Sequence, residues 1–407
     1  MFLSVLQVVN YIFPLITFTY LVRVLGVEKF GLLSFAQSFI QYFIVITDYG
    51  FHLSATREIS IHRDNKEKVN EIFSSVMIIK SGLFVISFMI MSGIVFGFEK
   101  FRREWLLYYL TFGMVLGQVL FPVWFFQGIE DMKWITYLNI TTKGLFTVAV
   151  FLCVKDSSHY IYVPLLNFIG LTLMGVLSLY LVLSKYNVNF DIKNIRKINN
   201  YLIEGWNIFL SRVYVSIYND INIFFLGLFG GNTMVGYYSI TTRIVLAIGG
   251  LFEPLNQALF PYLAKKYKEN FLEFVKIFKR IIKIFLIISF SLLLLSQHFK
   301  SKILYFLTAN NDREILYLLN VFLYRIIFYP FGPLLSNILI IMKKKEEFIK
   351  VMNYTVLFNF IVVVPSIYLY KAKGLVYSFI LLLTIHIFLL IKYVRSAIEK
   401  ENLKNIQ

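Results

Sequence analysis

Apolar runs of about twenty residues recur along the whole sequence, and they leave few folds open to it. Hydrophobic residues make up 58% of the 407-residue chain, far more than one soluble core could bury. A helix needs roughly 20 mainly apolar residues to cross about 30 Å of hydrocarbon. The runs that meet this requirement lie at 2–22, 32–51, 72–97, 105–127, 135–153, 160–184, 205–229, 233–259, 281–297, 315–341, 349–370 and 374–394. The sequence therefore predicts an all-α polytopic membrane protein with about twelve transmembrane helices.

The distribution of positive charge predicts which side of the membrane each loop faces. The chain has a formal net charge of +17 and contains 40 Lys and Arg. With the N-terminus in the cytoplasm, 24 of these lie in inside segments or at the inside ends of spans, 11 in outside loops and five deeper within predicted spans. Because inside loops are enriched in Lys and Arg, both termini are predicted to be cytoplasmic. This topology accounts for the net positive charge, so binding of nucleic acid is not needed to explain it. We also expect no cleavable signal peptide, since no basic segment precedes the first run.

A shift of 205 residues aligns the two halves of the chain. It places the segment 26–34, GVEKFGLLS, on the segment 231–239, GNTMVGYYS. Both segments read Gly, three residues, an apolar residue, Gly, two residues and Ser, and both join the first and second spans of their half. The same shift places Asp48 on Glu253. The matched positions indicate an internal duplication.

This duplication predicts two six-helix bundles. Six spans per half bring both halves into the membrane from the same side, so a pseudo-twofold axis along the membrane normal can relate them. We expect an N-terminal bundle at 1–184, a cytoplasmic linker at 185–204, a C-terminal bundle at 205–394 and a cytoplasmic tail at 395–407. The natural place for a substrate pathway is the cleft between such bundles.

Ionisable residues within the predicted spans are candidate functional positions. A charge at the centre of a spanning helix costs about 2.5 to 3.5 kcal/mol on insertion scales, so such residues tend to face a wet cavity or a partner. Apart from three lysines within three residues of a cytoplasmic span end, the charged ones are Asp48, Lys80, Lys143, Arg212, Asp220, Arg243, Glu253 and Arg325. The excess of cations over acids favours an anionic substrate or head group.

Polar residues are concentrated in the seventh predicted span. Arg212, Ser216, Asn219 and Asp220 recur at three- and four-residue spacing, which places them on one face of a helix. This pattern is typical of the wall of a water-filled cavity. The alternative is that these groups form hydrogen bonds with neighbouring helices inside the bundle.

Two roles follow for the ionisable residues. Asp48 and Glu253, matched by the repeat, are candidate gating or ion-coupling acids near the cytoplasmic mouth. For Lys80 and Arg212, snorkelling of the side chain to the membrane interface is the alternative to a functional role. The candidates for the substrate pathway are Lys143, Arg212, Asp220, Arg243, Arg325 and Lys80.

Motifs for catalysis, nucleotide binding and metal binding are absent from the sequence. There is no phosphate-binding Gly-x4-Gly-Lys-[Ser/Thr] loop and no His-Glu-x-x-His motif, and the five histidines lack ligand spacing. The single cysteine, Cys153, cannot form an internal disulfide. We therefore expect a protein that is not an enzyme and that has no cofactor and no metal site.

Two stretches of the first half resemble a known family. VRVLGVEKFGLLSFAQSFIQYF at 22–43 and TDYGFHLSATREISIHR at 47–63 resemble the start of Wzx-type O-antigen flippases. These polysaccharide exporters belong to the multidrug/oligosaccharidyl-lipid/polysaccharide exporter superfamily. A weaker likeness returns in YNDINIFFLGLFGGNTMVGYYS at 218–239. In length and span count the resemblance covers essentially the whole chain. It departs at the N-terminus, where similar proteins usually carry a short basic stretch; a misassigned start codon or a truncation would each account for this difference.

The resemblance implies a fold, a substrate and a location. It implies two six-helix bundles in a V-shaped arrangement around a central cavity in the bacterial inner membrane. Its implied substrate is a polyprenyl-diphosphate-linked oligosaccharide, moved from the cytoplasmic to the periplasmic leaflet by alternating access. Cationic residues of the cavity would meet the diphosphate and acidic sugars. Membrane lipids, a proton or sodium gradient and other polysaccharide assembly proteins are the further partners that it implies, and nucleic acid is not among them.

Two other functions are consistent with this composition. A membrane-embedded polymerase or ligase of the same pathway would share the Phe- and Tyr-rich spans, but it is expected to have a sizeable periplasmic loop with catalytic residues. No predicted outside loop exceeds roughly 20 residues. A drug exporter of the same superfamily would share the fold, and the motif resemblance disfavours it.

Overall fold

Every regular element of the structure, a computed structural model, is helical. It describes residues 2–190 and 198–406, without the side chains of 2–12, 207, 211, 214, 215, 217–220 and 404–406. The first nine helices are α1 Phe2–Asp48, α2 Phe51–His62, α3 Lys66–Gly97, α4 Glu99–Arg102, α5 Trp105–Leu120, α6 Val123–Gly128, α7 Lys133–Cys153, α8 Tyr162–Lys185 and α9 Ile198–Gly230. The others are α10 Asn232–Gly249, α11 Glu253–Glu269, α12 Phe271–Thr308, α13 Arg313–Phe322, α14 Arg325–Phe328, α15 Phe331–Ile341, α16 Lys345–Phe358 and α17 Val364–Ile406.

The helices confirm a multi-pass membrane protein. Within the described residues, eight helical stretches are long and apolar enough to cross a membrane. Three of them are 38 to 59 residues long, well beyond the roughly 20 residues of one crossing. The eight do not include α9 and α12, although the sequence predicts a span in each. Segments predicted as connections, such as 52–62, are largely helical as well.

Two glycines interrupt the helices at equivalent points of the repeat. Gly26, inside α1, has φ 74° and ψ 172°, and Gly231, just before α10, has φ 83° and ψ 172°. This backbone conformation is essentially open to glycine alone. The two positions are 205 residues apart, so the structure gives the sequence repeat the same backbone conformation in both halves.

The chain forms two compact units, unit 1 of residues 1–224 and unit 2 of residues 225–407. One apolar core of unit 1 is built around Phe73, Trp124 and Phe125. One apolar core of unit 2 is built around Phe274 and Phe285. The division falls within α9, so the larger part of this helix belongs to unit 1.

The start of α9 and the described part of the preceding segment are held by polar contacts within unit 1. The Tyr186 hydroxyl donates to Oδ2 of Asp131 over 2.6 Å, and the Tyr201 hydroxyl donates to Oε1 of Glu71 over 3.1 Å. Burial, reinforced by the Glu71 carboxylate, raises the pKa of Tyr201. The described residues of the predicted linker 185–204 thus pack against the first unit.

Small residues bring α5 and α8 of unit 1 into close contact. A Cβ on Gly113 would lie 2.1 Å from the ring of Phe168, and one on Gly117 would lie 2.9 Å from the backbone oxygen of Leu171. On the other helix, a Cβ on Gly175 would lie 3.1 Å from the carbonyl oxygen of Gly117. Glycines four residues apart allow this close approach of two helix backbones in membranes. This pairing positions the C-terminal end of α5, where a backbone carbonyl contributes to the candidate site.

Candidate functional site

A proline in the fourth predicted span creates the binding partner of Lys80. Pro122 has no backbone N–H, so it cannot donate to the carbonyl of Gln118 four residues earlier, and α5 ends at Leu120. The Lys80 ammonium donates to this Gln118 carbonyl over 3.2 Å. Lys80 is only 3% exposed. Its side chain therefore points into unit 1 and does not snorkel to the membrane interface.

Asp48 lies where the second predicted span is interrupted. Helix α1 ends at Asp48 and α2 begins at Phe51. Oδ2 of Asp48 lies 2.8 Å from Nδ1 of His52 across this break. Lys80 and Arg212 also act electrostatically on the Asp48 carboxylate. We call this group of Asp48, His52, Lys80 and Arg212 the unit 1 cluster.

Helix α9 approaches this break closely, which explains why Arg212 belongs to the cluster. A Cβ on Gly50 would lie 2.7 Å from Cγ2 of Ile208 and 3.0 Å from the backbone nitrogen of Phe209. The rings of Tyr49 and Phe209 stack with their centroids 4.9 Å apart. Arg212 follows Ile208 by four residues and is exposed. The unit 1 cluster thus joins a buried cation to an exposed one through a half-buried acid.

In unit 2, Arg325 is surrounded by aromatic rings. Its guanidinium carbon lies 5.0 Å from the ring centroid of Phe379, 5.5 Å from that of Phe322 and 5.8 Å from that of Tyr329. Cations over aromatic faces are stabilised by the ring quadrupole. These ring contacts stabilise the guanidinium within an apolar bundle.

Tyr329 connects Arg325 to the acid that the repeat matches to Asp48. Its ring covers the backbone at Gly249, where a Cβ would lie 2.5 Å from Cδ2 of Tyr329. Both Arg325 and Glu253 act electrostatically on the Tyr329 hydroxyl. Glu253 is exposed at the start of α11, directly after the short 3-10 turn Gly250–Phe252 that follows α10. Each unit therefore has an acid where its second span is interrupted and a cation nearby.

The remaining predicted site residues lie elsewhere in the two units or outside the description. Lys143 is half-buried on α7, where its backbone carbonyl accepts a hydrogen bond of 2.8 Å from Thr147. Arg243 is half-buried on α10. The side chain of Asp220 lies outside the described residues, so its predicted role in the pathway stays a prediction.

Sequence reasoning left three contributors out of the site. His52 follows Asp48 by four residues, a spacing that could have indicated the contact. The Gln118 carbonyl could have been found from Pro122, which removes its helical donor. No sequence pattern singled out Tyr329. Across the residues that the structure describes, no group of three or more His, Cys, Asp or Glu could hold a metal ion.

The arrangement is suited to holding an anion while exchanging a proton. In unit 1 a carboxylate, an imidazole and two cations act on one another within predicted membrane spans, where ionisable residues mark substrate or ion pathways. A family model described as a polysaccharide biosynthesis protein matches residues 1–267. The chain belongs to this family.

Relatives of this polysaccharide biosynthesis protein carry a more specific name. A protein of Escherichia coli (strain K12) named "Putative O-antigen transporter" is 29% identical over 296 residues, covering 72% of this chain and 71% of its own length. A protein of the same name from Shigella dysenteriae is 29% identical over 259 residues, covering 63% of this chain and 64% of its own length. The family resemblance inferred from the sequence is confirmed.

Solved structures establish the fold of this family member. An inward-facing multidrug resistance MATE family transporter of the MOP superfamily has a TM-score of 0.76 at 16% identity, covering 98% of both chains. A MOP superfamily transporter from Pyrococcus furiosus has a TM-score of 0.63 at 16% identity, covering 97% of this chain and 93% of that one. The chain thus has a MATE-like fold, and its relatives and fold neighbours are transporters, not enzymes.

Proposed function

We propose that this polysaccharide biosynthesis protein is a flippase for lipid-linked O-antigen oligosaccharide. The substrate is a polyprenyl-diphosphate-linked unit that the protein moves from the cytoplasmic to the periplasmic leaflet of the bacterial inner membrane by alternating access. The observation that carries this proposal is the 29% identity to the E. coli protein over 72% of the chain. The excess of intramembrane cations agrees with the anionic diphosphate of such a substrate.

The topology of the proposal comprises twelve crossings in two six-helix bundles with both termini cytoplasmic. Gly26 inside α1 and the left-handed residue Lys371 inside α17 support the division of these two long helices into two crossings each, and Gly231 separates α9 from α10. The surplus of Lys and Arg in alternate loops supports the orientation.

Within this proposal the cations bind the diphosphate and the acids couple transport to an ion gradient. The exposed Arg212 is accessible to a polar ligand and lies close enough to Asp48 to act on its carboxylate. A proton or sodium ion arriving at Asp48 would weaken its attraction for Arg212 and Lys80. Such a change would alter the positive charge offered to the substrate, so we assign Asp48 and Glu253 to coupling or gating.

Removal of two arginines tests the assignment of the pathway. The variant Arg212→Ala/Arg243→Ala is expected to remain in the membrane but to abolish surface polysaccharide in a strain that lacks the native gene. The matched control is Arg102→Ala/Arg103→Ala, which removes two exposed arginines outside the predicted spans. Full surface polysaccharide in the first variant would refute the assignment of these two residues.

A reconstituted assay tests the transport activity itself. Proteoliposomes that contain the purified protein and a fluorescent lipid-linked glycan should expose the glycan to an enzyme added outside, and its chain length should not change. Elongation of the glycan would instead identify a polymerase.

Loss of both carboxylates tests the assignment of the acids. In Asp48→Asn/Glu253→Gln, transport should no longer depend on an imposed ion gradient. Unchanged transport with unchanged ion dependence would show that both acids have only a structural role.

A further inference from the structure

A basic face at the start of α12 lies opposite the side that packs into unit 2. Lys276, Lys279, Arg280 and Lys283 are all exposed. At 3.6 residues per turn they fall within an arc of about 100° on the helix surface. Along the helix axis they occupy about 10 Å. We call these four residues the α12 basic face.

The opposite side of the same helix is buried in the core of unit 2. Phe274, Phe278, Ile281 and Phe285 are 0 to 8% exposed and belong to one apolar cluster. Their positions centre on the direction about 180° from the basic face. The four cations therefore point away from the helices that pack against α12.

Beyond Lys283, the direction of the basic face continues as an apolar stripe. Ile287, Phe290 and Leu294 are 68%, 55% and 56% exposed, and they lie within the same arc. In a membrane protein an exposed apolar stripe of this kind contacts acyl chains. The basic face follows directly along the helix, at the depth where acyl chains give way to head groups.

The length of α12 leaves room for this arrangement. A 38-residue helix is about 57 Å long, whereas the hydrocarbon core is about 30 Å thick. Part of α12 must therefore extend beyond the hydrocarbon, and the concentration of charged residues in its first turns favours the start of the helix.

The charge of this face is not neutralised within the part of the chain that the structure describes, where none of its four members forms an ion pair. The acid nearest in sequence, Glu273, is paired with Lys266 at 3.2 Å. By contrast, Lys265 and Lys266 on α11 both contact Glu269. The positive potential is thus concentrated on α12.

We propose that the α12 basic face is a docking site for the phosphate groups of anionic phospholipids in the adjoining leaflet. Basic side chains next to a membrane are attracted to anionic head groups, and their effects accumulate with number. The exposed apolar stripe holds acyl chains along the same helix, so one lipid can satisfy both. The site is independent of what the protein transports.

The test measures which lipids remain bound to the purified full-length protein. Native mass spectrometry would compare retention of phosphatidylglycerol and phosphatidylcholine with the same acyl chains. The natural sequence should retain phosphatidylglycerol preferentially. In Lys276→Gln/Lys279→Gln/Arg280→Gln/Lys283→Gln this preference should fall about tenfold or more, since each basic residue near an anionic surface increases binding about fivefold.

Two control variants keep the proposal falsifiable. Replacement of Lys343, Lys344, Lys345 and Lys350 by Gln removes the same number of charges from another connection, and it should preserve the preference. Lys276→Arg/Lys279→Arg/Lys283→Arg keeps the charge and should also preserve the preference for phosphatidylglycerol. A cooperative thermal unfolding transition shows that each variant is folded.

Three results would overturn the proposal. The first is equal retention of both lipids by the natural sequence, and the second is a preference that survives in the quadruple α12 variant. The third is displacement of phosphatidylglycerol by an equimolar undecaprenyl diphosphate, which would assign the face to the diphosphate of a transported lipid. None of these measurements depends on transport activity.

Discussion

The buried position of Lys80 leads to an asymmetric double-mutant cycle with Asp48. Lys80 is 3% exposed, whereas the side chain of Asp48 is 21% exposed and also contacts His52 at 2.8 Å. Removal of the acid takes away the opposing charge that acts on the buried ammonium and leaves it only its hydrogen bond to the Gln118 carbonyl; a buried charge left without compensation costs up to about 3 to 5 kcal/mol. Removal of the cation leaves a partly solvated carboxylate that keeps His52.

The magnitudes follow from this difference in burial. We expect Asp48→Asn to destabilise the protein by about 3 kcal/mol and Lys80→Met by about 1 kcal/mol. Once Lys80 is absent, the acid no longer balances a buried charge. The double variant should therefore be more stable than the sum of the single effects predicts, by about 1 to 3 kcal/mol.

The assay is thermal unfolding of the purified protein in detergent, followed by tryptophan fluorescence. The transition temperature should fall most for Asp48→Asn, less for Lys80→Met, and less than additively for both. As a control, Glu99→Gln and Arg103→Met disrupt an exposed pair at 2.6 Å, whose removal should change the transition temperature little because solvent screens the two charges. Equal losses for the two single variants, or strict additivity, would refute the reasoning.

Other positions give simpler expectations, all measurable by the same thermal unfolding. Gly117→Ala should destabilise the protein by about 1 to 3 kcal/mol, because the added Cβ would meet the backbone of Leu171. A Cβ added at Gly93 would have no other atom within 4 Å, so Gly93→Ala should be neutral or stabilise the protein by up to about 1 kcal/mol. An added Cβ meets open space at Gly26 and at Gly231, but both positions require a backbone conformation that is unfavourable for alanine. Gly26→Ala and Gly231→Ala should therefore each lower the free energy of unfolding by about 1 to 3 kcal/mol. A loss of stability at only one of them would contradict their equivalence.

The architecture could be predicted in outline because hydrophobic length is a local property. About twenty apolar residues in succession can be satisfied only by a helix in lipid, and this requirement does not depend on contacts elsewhere in the chain. The repeat could also be predicted from the sequence, because Gly26 and Gly231 are matched in it and both have a backbone conformation that residues other than glycine rarely adopt. The kink at Gly26 inside α1 falls between the first two predicted spans, 2–22 and 32–51, so the boundary of these spans was also visible in the sequence.

The candidate site was predicted residue by residue but not as a set of contacts. Asp48, Lys80 and Arg212 were identified because a charge in a span is costly wherever it lies. Their association depends on the close approach of α9 to Gly50 and on the carbonyl that Pro122 leaves without a donor. Neither relation could be derived from hydropathy, since each joins segments that are distant in sequence.

The sequence by itself determined the class of the protein, its helical content, its repeat and the family to which it belongs. These properties follow from composition and from the spacing of residues along one chain. Only the tertiary structure decided that Lys80 is buried in unit 1, that Arg325 lies among three aromatic rings, and that the cations of α12 point away from the core. Those features depend on which faces of the helices pack together, and packing is set by the shapes of side chains from many distant segments.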